Sequence, residues 1–282
     1  MCFDVSHRFV PALCALLLSS CSIKEDRAEC PCFLTLDFGG IASSHLSQMG
    51  LKYLDLFVSA TGEFSDSISF ALADNVQEYD LAVPKGDVRL LAVSAGGGRL
   101  SWREGFAIPV GEECPVLYSL ADAFEASGAE LRRTVLLHKD YCQLSVSVKR
   151  SYSSSLSRGF EVTVDGGVCG MTLLGMPMEG EFLCSASSSA DGVCTLRLPR
   201  QLPSSLYGSS RGRDAPGIYL TIRYPDTDDI RSYPIGEYIA QSGYDWTAPD
   251  LEDISLEVDF SLSGVTFTIS KWKKTLSFEI TI

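Results

Sequence analysis

Past Cys32 the chain alternates apolar and polar residues with period two, the mark of strands that bury one face. Leu34, Leu36 and Phe38 share one such face, and Leu54, Leu56 and Val58 share another. The spacing recurs at Tyr79-Leu81-Val83, Val88-Leu90-Ala92, Phe106-Ile108-Val110, Leu144-Val146-Val148, Phe160-Val162-Val164 and Ile218-Leu220-Ile222. Clusters of Gly, Pro, Ser and Asp separate the runs, as at residues 96–98 and 153–155. Near the end, Ile254, Leu256, Val258, Phe260 and Leu262 alternate with polar residues, Ser263-Gly264 turns the chain, and Val265, Phe267 and Ile269 return. That pattern predicts a hairpin with one buried face. Leu276, Phe278, Ile280 and Ile282 predict a final strand. Residues 121–133 (ADAFEASGAELRR) read as a short helix, and no segment has the length and period of a long one.

Many short strands between turns make an all-β sandwich the natural architecture. The strand runs change over near residues 131–141, which places an N-terminal sandwich at 33–135 and a C-terminal one at 136–282. Both lengths agree with ordinary domain sizes. With 282 residues, 45% apolar and 21% charged, the chain is a folded protein of one large or two modest domains. Its net charge of −13 repels phosphate backbones, so nucleic acid is excluded as a partner.

Residues 1–20 read as an export signal. Arg8 supplies a positive charge, offset by Asp4, and Phe9 to Leu18 form an apolar run of ten. A bilayer span needs ~20 residues, whereas a signal h-region needs ~7–15. Leu18-Ser19-Ser20-Cys21 resembles the bacterial lipobox, with small residues before the cysteine. Cleavage then falls between Ser20 and Cys21, and a diacylglyceryl group on the Cys21 thiol anchors the chain. Residues 21–32 carry the lipidated cysteine and a charged tether, SIKEDRAE. A plain secretory signal with a chance cysteine is the alternative.

Three cysteines crowd residues 21–32, out of ten in the chain. Seven remain past the signal and Cys21: Cys30, Cys32, Cys114, Cys142, Cys169, Cys184 and Cys194. Export to an oxidising compartment makes disulfides the first expectation, and an odd count leaves at least one thiol without an intramolecular partner. A metal site is not expected: Cys30-Pro31-Cys32 has CxC spacing, no second close pair exists, and the nearest histidine is His45. Proline between Cys30 and Cys32 disfavours a bond between them. Distant partners, or a place in the core as small apolar side chains, remain open.

Other candidate chemistry is thin. Gly208-Ser209-Ser210-Arg211-Gly212 matches GxSxG, but a nucleophile elbow needs a buried strand before it and a helix after it, and neither flank fits. Only His45 and His138 are left to serve as a base. Asp226, Asp228 and Asp229 offer oxygen ligands without the Gly and downstream Glu of a calcium loop. Glycines 96–98 lack the spacing of a phosphate loop. Tyr238, Tyr244 and Trp246 are grouped closely enough for a sugar-stacking surface, or to close a sandwich core.

That same stretch carries a resemblance. Ile235-Gly236-Glu237-Tyr238-Ile239, Gly243-Tyr244-Asp245-Trp246, Leu251-Glu252-Asp253-Ile254, the strand SLEVDF and a hairpin ending in Lys271-Trp272 resemble the C-terminal signature of the FimB/Mfa2 family. These are fimbrial anchor and accessory lipoproteins of Bacteroidales. The lipobox, charged tether and CPC-FLTLDF opening agree with it. The resemblance implies two tandem transthyretin-like β-sandwich domains, attachment to the outer membrane through Cys21, and fimbrial shaft subunits as partners, held by strand complementation. It implies no catalytic residue, metal or cofactor. Gly236, Tyr244, Asp245, Trp246, Asp253 and Trp272 become structural positions, and Lys24-Glu25-Asp26 resembles an address to the outer cell surface. The alternative is a surface glycan-binding lipoprotein. The two readings differ in one observable: a glycan platform exposes Tyr244 and Trp246, and an anchor buries them.

Overall fold

The computed structural model describes residues 30–41, 43–96, 105–149, 159–202, 217–225, 229–260, 265–271 and 274–280. The first part of the chain forms strands β1 (Cys32–Asp37), β2 (Tyr53–Ala60), β3 (Ser65–Ala71), β4 (Glu78–Val83), β5 (Gly86–Ala95), β6 (Gly105–Ala107), β7 (Leu117–Ala126), β8 (Glu130–Thr134) and β9 (His138–Lys139). The second forms β10 (Tyr141–Lys149), β11 (Glu161–Thr172), β12 (Pro177–Ser187), β13 (Val193–Pro199), β14 (Tyr219–Tyr224), β15 (Asp229–Tyr233), β16 (Ile254–Asp259), β17 (Val265–Lys271) and β18 (Lys274–Ile280). Helices α1 (Ser43–Gln48) and α2 (Ile235–Gln241) are each two turns or fewer. The all-β sandwich fold is therefore the fold found.

Alternation places the core. Sheets β4-β1-β8 and β3-β2-β5-β7-β9 enclose Leu34, Leu36, Phe38, Leu54, Leu56, Val58 and Val83. Leu46 of α1 and Leu51 behind it join that cluster. Sheets β13-β10-β16-β17-β18 and β12-β11-β14-β15 enclose Leu144, Val146, Val162, Val164, Phe182, Leu220, Leu256 and Phe267. Both sandwiches contain one parallel pair in an otherwise antiparallel sheet: β1 with β8 and β10 with β16. A parallel pair needs a long crossover. In the second sandwich the whole opposite sheet lies on that crossover, and in the first β2, β3, β5 and β7 do, with β9 following β8.

Strand β5 departs from alternation. Val88, Leu90 and Ala92 belong to the first core, while Leu91, Val93 and Ala95 belong to the second. Between them Ser94 is buried and its hydroxyl donates to the Tyr53 carbonyl at 2.7 Å. A strand covered on both faces reads as a continuous apolar run, here Leu90-Leu91-Ala92-Val93. It is the wall the two cores share.

Two sequence expectations need correction. Residues 121–133 are not a helix: they supply the end of β7 and most of β8. Ala and Glu favour helix only weakly, and ten rungs of pairing between β5 and β7 override that preference. Leu120 and Phe124 then pack on the first core, and the Arg133 guanidinium covers the Phe124 ring at 4.4 Å. The run Phe106-Ile108-Val110 is strand only over Gly105–Ala107, and Val110 is exposed.

The register of β1 sets a sharp contrast between neighbours, since Leu34 is fully buried and Phe33 is 60% exposed. Leu34→Ala is expected to lower the unfolding free energy by about 2–5 kcal/mol. Phe33→Ala should stay within about 0.5 kcal/mol. Urea unfolding of the mature chain checks both.

Candidate functional site

The C-terminal signature folds into a lock at the meeting of the two halves. Pro234 precedes α2, whose Ile235 and Ile239 are one turn apart and buried. The Gly236 N–H donates to the Ile218 carbonyl at 3.0 Å, which ties the helix to the residue before β14. Tyr238 stacks on Phe267, with centroids 5.5 Å apart and planes 12° from parallel. The helix ends at Gly243, whose φ of +69° is the left-handed conformation glycine favours.

Tyr244 and Trp246 follow, 8% and 3% exposed, with ring centroids 4.6 Å apart. The Tyr244 hydroxyl donates to the Glu252 carbonyl at 2.5 Å. Burial first, then the adjacent Cys142 thiol, pushes that phenol far above its ordinary pKa. Between the rings, Asp245 faces solvent and folds the turn. Its Oδ1 accepts the Thr247 N–H at 2.8 Å and the Thr247 hydroxyl at 2.6 Å, and these bonds hold its carboxyl below the usual range. With both rings buried, the aromatic sugar platform is overturned.

Arg200, just past β13, holds this loop from below. Its Nη1 donates to the carbonyls of Trp246 at 2.5 Å and Ala248 at 2.8 Å, and its Nη2 to that of Pro249 at 3.0 Å. Its Nε bonds the carboxylate of Asp140, a side chain only 4% exposed. Asp140 in turn accepts the Ser119 hydroxyl of β7 at 2.9 Å. One guanidinium thus joins β7, the β9–β10 junction, β13 and the signature loop. Arg is suited to this because its planar fork presents several donors at fixed angles.

Asp253 pins the start of β16. Its Oδ1 accepts the Gln143 N–H of β10 at 2.9 Å and the Lys139 ammonium at 2.5 Å. Asp250 accepts the Lys139 N–H at 2.7 Å and lies 3.2 Å from His138 Nδ1. These bonds fix the parallel register of β10 and β16. Of the signature positions, Tyr244, Asp245, Trp246 and Asp253 fall in the loop between α2 and β16 that borders the β9–β10 junction, whereas Gly236 ties α2 to the residue before β14. Trp272 lies outside the described residues.

Sequence reasoning missed Arg200, Asp140, Lys139 and Asp250. Asp140, Arg200 and Asp250 lie between strands and Lys139 ends the two-residue β9, places where solvated turns also put charges, so no local signal separates them. Ser20, Cys21, the tether and the GxSxG stretch lie outside the described residues, as do Asp226 and Asp228. Asp229 is described and pairs with Arg231 at 3.2 Å. Among the described residues, no His, Cys, Asp and Glu group is placed to hold a metal, and no helix is long and apolar enough to cross a membrane.

The disulfide expectation is also corrected: all seven cysteines past Cys21 are free thiols. Cys32, Cys142, Cys184 and Cys194 occupy inward positions of their strands, where a thiol packs as a small apolar group. Burial pushes Cys142 and Cys184 up to about 12 and Cys194 up to about 11. Cys30 alone among the seven is exposed.

Because Asp140 is buried and Arg200 half-buried, removing the arginine leaves an uncompensated buried charge. Arg200→Leu is expected to lose about 3–5 kcal/mol, and the double change with Asp140→Leu to recover part of it, in a double-mutant cycle read by urea unfolding. For the thiols, iodoacetamide at pH 8 should label Cys30 promptly and leave Cys32, Cys114, Cys142, Cys184 and Cys194 unmodified until denaturant is added. Mass spectrometry without reductant checks this; bridged cysteines would stay unlabelled even then.

No protein-family model matches the sequence, nor does any curated protein. Solved structures do match. A Bacteroides thetaiotaomicron protein, provisionally described as polysaccharide-binding, aligns with a TM-score of 0.59 at 9% identity, over 89% of this chain and 98% of that one. A provisionally named adhesin from the same species aligns at 0.54 with 14% identity, over 89% and 99%. The fimbrial anchor protein Mfa2 from Porphyromonas gingivalis aligns at 0.54 with 11% identity, over 87% of this chain and 99% of that one. Across nearly its whole described length, this chain has the fold of the fimbrial anchor protein Mfa2, the fold that the resemblance to the FimB/Mfa2 family implied.

Proposed function

We propose that this chain is a non-enzymatic outer-membrane lipoprotein of the FimB/Mfa2 type, an anchor or assembly subunit that holds fimbrial shaft subunits by strand complementation. The observation that carries the reading is the fate of the signature. Residues that resemble the family's C-terminal signature fold as an internal lock, with Tyr244 and Trp246 inside, in a chain whose fold spans 99% of the Mfa2 structure. A ligand platform would turn those rings outward.

The remaining parts fit the same role. Signal residues 1–20 deliver the chain, the lipid on Cys21 fixes it, and residues 22–31 give the reach between bilayer and the first strand. We place the two transthyretin-like domains at 33–135 and 136–282. Strand complementation needs sheet edges with unpaired N–H and C=O groups. Among the described residues, β4 and β8 are the edges of the three-stranded sheet and β18 is an edge of its own.

The lipid is tested directly. Cys21→Ala is expected to abolish incorporation of labelled palmitate and to release the protein from the outer-membrane fraction. A variant that stays acylated and membrane-bound removes the anchor from this reading.

A further inference from the structure

Strands β5 and β7 are neighbours in one sheet, yet the chain between them leaves for the other sandwich. Its base is closed by the Gly96 N–H, which donates to the Val116 carbonyl at 2.7 Å. Residues 105–114 of this excursion then cross three strands of the second half in turn. β6 pairs antiparallel with the end of β11, opposing Phe106 to Met171 and Ala107 to Gly170. The Ile108 N–H continues to the Cys169 carbonyl at 2.7 Å, Gly111 donates to Leu183 of β12 at 2.7 Å, and Cys114 donates to Arg197 of β13 at 3.3 Å.

Three side chains of this segment go inward. Phe106, Ile108 and Cys114 are 9%, 4% and 0% exposed and belong to the core of the second half. At the far end a charged clamp holds it. Glu113 accepts the Arg197 N–H at 2.7 Å and its Nη2 at 2.6 Å, while Arg197 Nε donates to the Cys114 carbonyl at 2.8 Å. Close backbone approach is built in by glycine: a Cβ on Gly170 would lie 1.9 Å from the Phe106 carbonyl oxygen. The embrace is reciprocal, because the β11–β12 turn rests on the first half, where a Cβ on Gly175 would lie 2.3 Å from that of Ala121 in β7.

We infer that residues 105–114 are a strap by which the first half of the chain completes the core of the second, so that the two sandwiches open as one cooperative body. Domains joined by a plain linker move and unfold separately by default. Here the second core includes three side chains contributed by the first half's excursion, together with Leu91, Val93 and Leu117 of β5 and β7. The inference does not depend on the fimbrial reading. It gives any pull applied to one half a direct path to the other.

Native-state hydrogen exchange of the mature chain in urea tests it. Amides of the β1–β4 pair report one half and those of β10–β16 the other. The wild type should lose both protections in a single coincident transition. Phe106→Ser with Ile108→Ser should split it, with β10–β16 opening at lower urea than β1–β4. Separate transitions in the wild type, or coincidence that survives the double change, would overturn the inference. Arg197→Gln leaves the apolar residues in place and guards against a variant that fails to fold. It should speed exchange of the Gly111 and Cys114 amides about tenfold or more while β10–β16 is unchanged. Unaltered exchange at those two amides also counts against the strap.

Discussion

A strand with both faces buried leaves its neighbours little freedom, and β5 is such a strand. Leu90 and Leu91 are adjacent in sequence and each 2% exposed, yet they belong to different cores. Neither face can turn to water without exposing one of those cores. The strand must therefore sit between the sandwiches, and β2 and β7, paired to it on either side, are placed by the same demand. Interior packing at near-crystalline density then makes the position of each half a condition on the other.

Polar groups at the junction follow from that placement. Where the signature loop runs between α2 and β16, its backbone carbonyls have no strand or helix partner and take side-chain donors instead. Arg200 answers three of them at residues 246, 248 and 249, and Asp140 supplies the counter-charge its burial requires. The Tyr244 hydroxyl answers a fourth at Glu252. The signature stretch thus derives its residue types from structural need: a small residue at the helix start, aromatic bulk with one polar handle, and an acid that folds a turn.

Period two in the sequence located most strands and their inward faces, because burial selects side chains one at a time and leaves that choice visible. Pairing partners were not legible. The parallel pairs β1–β8 and β10–β16 leave the same alternation as antiparallel ones, and the excursion of residues 105–114 to another sheet leaves no local mark beyond Phe106 and Ile108. Residues 121–133 misled because Ala, Glu and Leu carry helix preference in their own right, whereas the strand they join is decided by β5. The thiols misled for a different reason. Compartment argues for disulfides, but an inward strand position serves a small apolar group equally well, and only the fold distinguishes the two.

On the proposed function, this protein holds a fimbrium to the cell. The most direct measurement is electron microscopy of cells and culture medium after deletion of its gene in the bacterium that makes it. The expected result is fimbriae shed into the medium and altered in length, with complementation by the intact chain restoring attachment. Fimbriae that stay on the cell at normal number and length would contradict it.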